Sequence, residues 1–208
     1  MITPQRRQRI EALLEQKQPD LQVLLDDVHD SRNISAVIRT CDAVGVLHFY
    51  YSRNSLDHVK THRTVTQGAH RWLLKERIDY EKRAQFLRRK REEGMQILVT
   101  QLGEESRDFR EIDYTLPTLL VLGNEKEGVS AEVAAEATHR VIIPMHGMVQ
   151  SLNVSVAAAL ILYEAQRQRQ AAGFYDRPQL DEARRQALME EWIRRDSILR
   201  KSRGRIGQ

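Results

Sequence analysis

Residues 142–165, "IIPMHGMVQSLNVSVAAALILYEA", join two apolar elements through a short polar break. Val141 to Pro144 reads as the end of a buried strand, closed by a proline that has no N–H to offer a ladder. Val154 to Ala165 reads as a very apolar helix. Between them lie Gly147, Gln150, Ser151 and Asn153. A loop held between buried elements leaves backbone N–H and C=O groups in need of partners. A bound small molecule is one way to supply them, so the join is a candidate ligand site.

Working outward, apolar runs alternate with helical spacing. "LQVLLDDV" (21–28), "LHFYY" (47–51), "WLLKERI" (72–78), "MQILVTQ" (95–101), "TLLVLG" (118–123) and "RVIIP" (140–144) read as strands. "NISAVIRTCDAVGV" (33–46) places Ile34, Val37, Ile38, Cys41 and Val44 on one helical face and ends at Gly45. "YEKRAQFLRRKREEG" (80–94) reads as a polar helix stopped by Gly94, and "SAEVAAEA" (130–137) as a short helix capped by Ser130. This alternation predicts an α/β fold with a mostly parallel sheet covered by helices on both faces. Residues 1–20 are expected to form an N-terminal helical extension, 21–173 the main domain, and 174–208 a basic C-terminal helical extension. "AGFYDRP" (172–178) reads as the hinge before that last helix.

Composition narrows the function. No apolar run reaches the roughly 20 residues that span a bilayer, and the charged N-terminus has no signal-peptide core, so a cytoplasmic protein with no membrane partner is expected. A single cysteine, Cys41, excludes an internal disulfide and a cysteine-based metal cluster, and no HExxH pattern is present, so no metal is expected. Cys41 sits on the apolar helix face and reads as core; Trp72 and Trp192 read as packing residues. The net charge of +4 is unevenly spread. Residues 53–91 carry twelve Lys/Arg against four Asp/Glu, residues 92–163 four against eleven, and residues 164–208 eleven against seven. Segregated base of this kind is an electrostatic footprint for nucleic acid, although solvated helix faces produce it too.

A second candidate ligand loop is "VLGNEKEGVS" (121–130), which follows a strand and opens a helix. Gly123 and Gly128 allow close backbone approach, yet neither GxxxxGK[ST] nor GxGxxG is present, so this is no phosphate loop of a known type. Loops after Val99, Leu122 and Ile143 would all lie at strand C-termini, where open parallel sheets bind ligands. Thr100 offers a hydroxyl, Gly123 a backbone contact and Leu152 an apolar wall, a mix that suits a small, partly apolar cofactor. Arg39 stands among apolar helix residues, where an arginine needs a partner. It either pairs with Asp42 or Asp26, or faces a phosphate or reacting oxygen.

Taken together, "NISAVIRTCDAVGV", "LVLGNEKEGVS" and "IIPMHGMVQSLNVSVAAALILYEAQRQRQ", with "DFREIDYT" (108–115) before the second, resemble the three motifs of the SpoU/TrmH class of RNA ribose 2′-O-methyltransferases, in the SPOUT superfamily. The resemblance runs from about Leu21 to Gly173. It implies a C-terminal trefoil knot, S-adenosyl-L-methionine as cofactor, and a homodimer with the active site near the subunit interface. Within the class the chain is most similar to members that methylate guanosine 18 of the tRNA D-loop. Another RNA site (a ribosomal RNA guanosine or the tRNA wobble ribose) and a non-catalytic RNA-binding protein are the alternatives. Arg39 falls where the class places its catalytic residue; Asn33, Glu125, Ser151 and Asn153 would position it and the ribose. Thr100, Gly123, Ile143 and Leu152 fall at cofactor positions, and Leu122, Asn124, Gly128 and Met148 belong to the same loops. The basic stretch Arg53 to Arg91 and the tail from Arg177 to Arg205 are expected to contact tRNA phosphates.

Overall fold

The computed structural model describes residues 2–54, 62–103, 105–124 and 126–204. In chain order the elements are α1 (Pro4–Glu15), β1 (Leu21–Asp26), α2 (Ser31–Ala43), β2 (His48–Ser52), α3 (Arg63–Thr66), β3 (Leu74–Arg77), α4 (Arg83–Glu92) and β4 (Gln96–Thr100). They continue with β5 (Arg107–Asp108), β6 (Thr118–Leu122), α5 (Ala131–Ala134), β7 (His139–Ile142), α6 (Val154–Ala171) and α7 (Glu182–Gly204).

The strands form one seven-stranded sheet in the order β3-β2-β1-β6-β4-β7-β5, and every pairing is parallel. Because successive side chains point to opposite faces, the apolar strand runs feed two cores. Val23, Leu25, Leu98, Leu120 and Leu122 pack with α2 and α6, against Val37, Cys41, Ala158 and Leu162. Leu24, Ile97, Val99, Leu119 and Val121 pack on the other face, against Phe86 and Leu87 of α4 and Val133 of α5. The helix over 33–46 forms as its spacing predicts, and Gly45 at φ +81° turns the chain out of it. A Cβ at Gly45 would stand 2.4 Å from the Gln16 carbonyl oxygen, so only glycine fits. Ser130 caps α5 by accepting the Val133 N–H.

Two expectations change, and one strand escapes the sequence reading. The helix from Val154 does not end with its apolar run at Ala165 but continues to Ala171, carried by the good helix formers Gln and Arg. Its extra turns bury Arg169, which donates to the carbonyls of Tyr114 (2.8 Å) and Leu116 (3.2 Å) and pairs with Asp20 at 2.5 Å. The strand β5, two residues long, is too short to leave a period in the sequence. The stretch 172–178 is not a free hinge: Tyr175 donates its hydroxyl to the Val44 carbonyl at 2.7 Å, and Gln16 holds the Tyr175 carbonyl at 3.2 Å. The two terminal extensions pack on each other beside the sheet. Ile10 and Leu14 of α1 meet Leu188, Met189 and Trp192 of α7 over Leu47. Trp192 packs edge-on to Trp72 with ring centres 5.5 Å apart.

Candidate functional site

Both candidate ligand loops, and a third after β4, meet at the C-terminal end of the sheet. There a cavity of about 420 Å³ is lined by Thr100 at the end of β4, Leu122, Gly123 and Asn124 at the end of β6, and Ile143 beyond β7. Gly128, Ser151 and Leu152 complete the wall, with Val154, Ala157 and Ile161 of α6 as its floor. The volume is that of a small-molecule site, and the lining combines apolar walls with a few amide and hydroxyl groups. Its position beyond strand C-termini, on the β6-β4-β7 side of the sheet, is where an open parallel sheet leaves a crevice.

The loop after β6 is closed on itself. Asn124 and Gly128 exchange backbone hydrogen bonds of 2.9 and 2.8 Å. A Cβ at Gly123 would meet the Gly128 backbone at 2.2 Å, so this contact demands glycine. The Asn124 side chain donates to the Asp27 carbonyl at 2.9 Å, and Asp27 itself adopts φ +55° to present it. Glu125 lies outside the described residues.

Asn33 and Asn153, 120 residues apart in sequence, meet at the N-termini of α2 and α6, with Asn153 Nδ2 donating to Asn33 Oδ1 at 3.0 Å. Asn153 also caps α6, its Oδ1 accepting from the Ser155 N–H at 2.8 Å. The first and third motifs are thereby joined beside the cavity. Ser151, two residues before Asn153, is exposed and lines the cavity wall.

Two of the expected site residues, Met148 and Arg39, lie outside the lining of this cavity. Met148 is fully exposed, at 100%, and does not line the cavity, because the loop from His146 to Ser151 stands out into solvent. The same exposure overturns the premise that this loop is buried in the single chain; water can satisfy its backbone. Arg39 is exposed and pairs with neither proposed carboxylate. Asp26 is taken by Arg83 at 2.7 Å and Asp42 by Lys17 at 3.2 Å. Six residues along a helix rotate a side chain by about 240°, so Arg39 points away from the face that carries Asn33. It lines a second cavity of about 510 Å³ together with Arg6, Arg9, Arg71 and Trp72. Sequence reading singled out neither this cavity nor the convergence of its arginines. They come from α1, α2 and the turn after α3, which no local pattern connects.

Much of the basic segment is engaged internally. Arg88 and Arg91 pair with Glu136, Arg89 and Lys90 with Glu93, and Lys82 with Asp79. Residues 55–61 of that segment, and Arg205 of the basic tail, lie outside the described residues. Cys41 is fully buried and its thiol is pushed far up by desolvation, so it stays protonated and belongs to the core. Burial likewise pushes the Lys17 ammonium down, against the opposing pull of Asp42. Among the described residues no group of three His, Cys, Asp or Glu is placed to hold a metal ion, and no helix is long and apolar enough to cross a membrane.

A family profile described as "SpoU rRNA Methylase family" matches residues 20–163. The chain is 50% identical over 194 residues, 93% of its length, to the tRNA (guanosine(18)-2'-O)-methyltransferase of Thermus thermophilus, covering 98% of that protein. It superposes on the crystal structure of the Aquifex aeolicus TrmH/SpoU tRNA modifying enzyme with a TM-score of 0.88 and 47% identity, covering 92% of this chain and 96% of that one. The AdoMet-bound rRNA methyltransferase from Sinorhizobium meliloti matches with a TM-score of 0.64 and 33% identity, over 76% of this chain and 59% of that one.

Proposed function

The chain belongs to the SpoU rRNA Methylase family, and from that premise we propose that it transfers a methyl group from S-adenosyl-L-methionine to the ribose 2′-oxygen of guanosine 18 in tRNA. The observation that carries the reading is the convergence of the motif loops after β4, β6 and β7 on one cavity, in a chain similar over nearly its whole length to tRNA guanosine-18 methyltransferases.

The cavity fits such a cofactor. Leu122, Ile143, Leu152 and Ile161 offer an apolar wall, while the backbone around Gly123 to Gly128 and the side chains of Thr100 and Ser151 offer polar contacts. When bound there, the cofactor supplies an electrophilic methyl group on a sulfonium. The chain's own part is positioning, which for an in-line displacement accounts for much of the rate. The Asn33–Asn153 bond fixes the two helix N-termini against each other, and Ser151 and Asn153 face the ribose beside the cavity. Arg39, with Arg9 and Arg71 around the second cavity, grips RNA phosphates; a role at the attacking oxygen requires the homodimer to bring this cavity beside the cofactor. A guanidinium stays protonated near neutral pH, so the proton leaves to a phosphate or to water.

Two further features belong to this reading. Val156, Leu160 and Tyr163 form an outward stripe on α6, exposed by 46, 42 and 54%, which supports a homodimer that covers it. The interleaved strand order β6-β4-β7-β5 supports a trefoil knot over the passage from β6 to α6. The deciding experiment is mass spectrometry of nucleosides from tRNA incubated with protein and cofactor. The expected product is 2′-O-methylguanosine at position 18; a methyl group on a base, or on another ribose, overturns the assignment.

A further inference from the structure

The loop that walls the cavity between Gly123 and Ser130 is tied at both ends to the last residue of β1 and the one after it. Its first end is held where Asn124 donates to the Asp27 carbonyl at 2.9 Å. Its far end is held where the Ser130 N–H reaches Asp26 Oδ2 at 3.4 Å. Asp26 is almost wholly buried, and a buried carboxylate keeps its charge and orientation only if it is paired. Its partner comes from α4: Arg83 Nη1 donates to Asp26 Oδ1 at 2.7 Å. Arg83 is itself buried, and held on three sides. Its Nε donates to the Tyr80 carbonyl at 2.6 Å, its guanidinium lies 3.4 Å from the centre of the Tyr80 ring, and its Nη2 stands 3.6 Å from Glu132 of α5.

We propose that Arg83 is a positioning residue for the cofactor loop, acting through Asp26 on Ser130, and is not one of the RNA-binding cations of the basic segment. The proposal rests on the reading of the 420 Å³ cavity as the cofactor site. One oxygen of Asp26 is taken by the guanidinium, which leaves the other facing the Ser130 N–H. Without Arg83 the carboxylate is an unpaired buried charge. It must turn, take a proton or admit water, and each of these weakens its hold on the Ser130 N–H. The Asn124 end stays tied and so does its backbone pairing to Gly128, so the part released is Val129 with Ser130, and Val129 lines the cavity. Burial of Arg83 keeps it from touching RNA directly.

The test uses the full-length protein with Arg83→Lys and Arg83→Gln. S-adenosylmethionine binding is measured by calorimetry, tRNA binding by filter retention, and steady-state rates are taken on the same preparations. Lys keeps the charge, and with it the fold, but one ammonium cannot reach Asp26, the Tyr80 carbonyl and Glu132 together. Arg83→Lys should weaken cofactor binding by about threefold to tenfold and Arg83→Gln by more than about tenfold, with tRNA affinity within about twofold of the wild type. The KM for cofactor should rise by the same factor, while kcat at saturating cofactor changes less. Wild-type cofactor affinity in either folded variant overturns the proposal, and so does a loss that falls on tRNA binding instead. If Arg83→Gln does not fold, Arg83→Lys alone decides. Should the unsubstituted protein fail to bind cofactor, the cavity assignment falls first; wild-type binding with an unaltered Arg83→Lys variant sinks this proposal alone.

Discussion

Arg39 is the residue on which sequence and structure differ most usefully. An arginine on an apolar helix calls for a partner, yet the two nearby carboxylates are claimed by Lys17 and Arg83. What remains is an exposed guanidinium facing a cavity it shares with Arg9 and Arg71, and with Arg6, which pairs with Asp196 at 3.1 Å. Arg39→Ala and Arg39→Lys should therefore each cut kcat by about a hundredfold or more, since Lys keeps the charge but loses the planar fork. Cofactor affinity in both should stay within about twofold, because Arg39 does not line the cofactor cavity. Single-turnover rates and calorimetry check this. A lysine variant that keeps most of the activity removes the fork from the account, and loss of cofactor binding makes Arg39 a structural residue.

At the scale of the element, α6 carries two apolar faces where a surface helix needs one. Val154, Ala158, Ile161, Leu162 and Ala165 face the sheet. Val156, Leu160 and Tyr163, at i, i+4 and i+7, face outward and remain half exposed in the single chain. Burying those three would release apolar surface from water at about 25 cal/mol per Å². Leu160→Glu places a charge in the middle of the stripe and should shift the protein from dimer to monomer or aggregate in sedimentation velocity. An unsubstituted protein that sediments as an active monomer ends the dimer reading. The spacing of this helix was readable from sequence because both faces are built from neighbours along the chain. Its full length was not, because the last turns are held by Arg169 reaching to Asp20, a contact between distant segments.

For the whole molecule, charge segregation by segment proved a poor guide to charge in space. Five basic side chains from Lys82 to Arg91 pair with nearby carboxylates, and Arg83 is buried. Meanwhile α1, α2 and the turn after α3 bring Arg6, Arg9, Arg39 and Arg71 into one cavity. The C-terminal helix, expected to serve RNA binding, gives Leu188, Met189 and Trp192 to the packing of α1. Removing it would expose that cluster and confuse binding with stability. Charge reversal is the cleaner probe. Arg9→Glu and Arg71→Glu together should weaken tRNA binding across sequences and lower the slope of log affinity against log salt by roughly two, with cofactor affinity little changed. An unaltered salt slope moves the RNA surface elsewhere.

Local patterning was enough to set the class of fold and to mark the loops that line the 420 Å³ cavity. Strands and helices announce themselves through periods of two and 3.6 residues, and the motif residues Gly123, Asn124, Ser151 and Asn153 are local signals. Which of these groups meet was settled by packing. It joined Asn33 to Asn153, sent Arg39 to a different cavity, placed Met148 in solvent and gave Asp26 to Arg83. Contacts of this kind depend on the order of strands in the sheet and on which helix face turns inward. Those are set by the packing of the whole chain, and no stretch of sequence carries them alone.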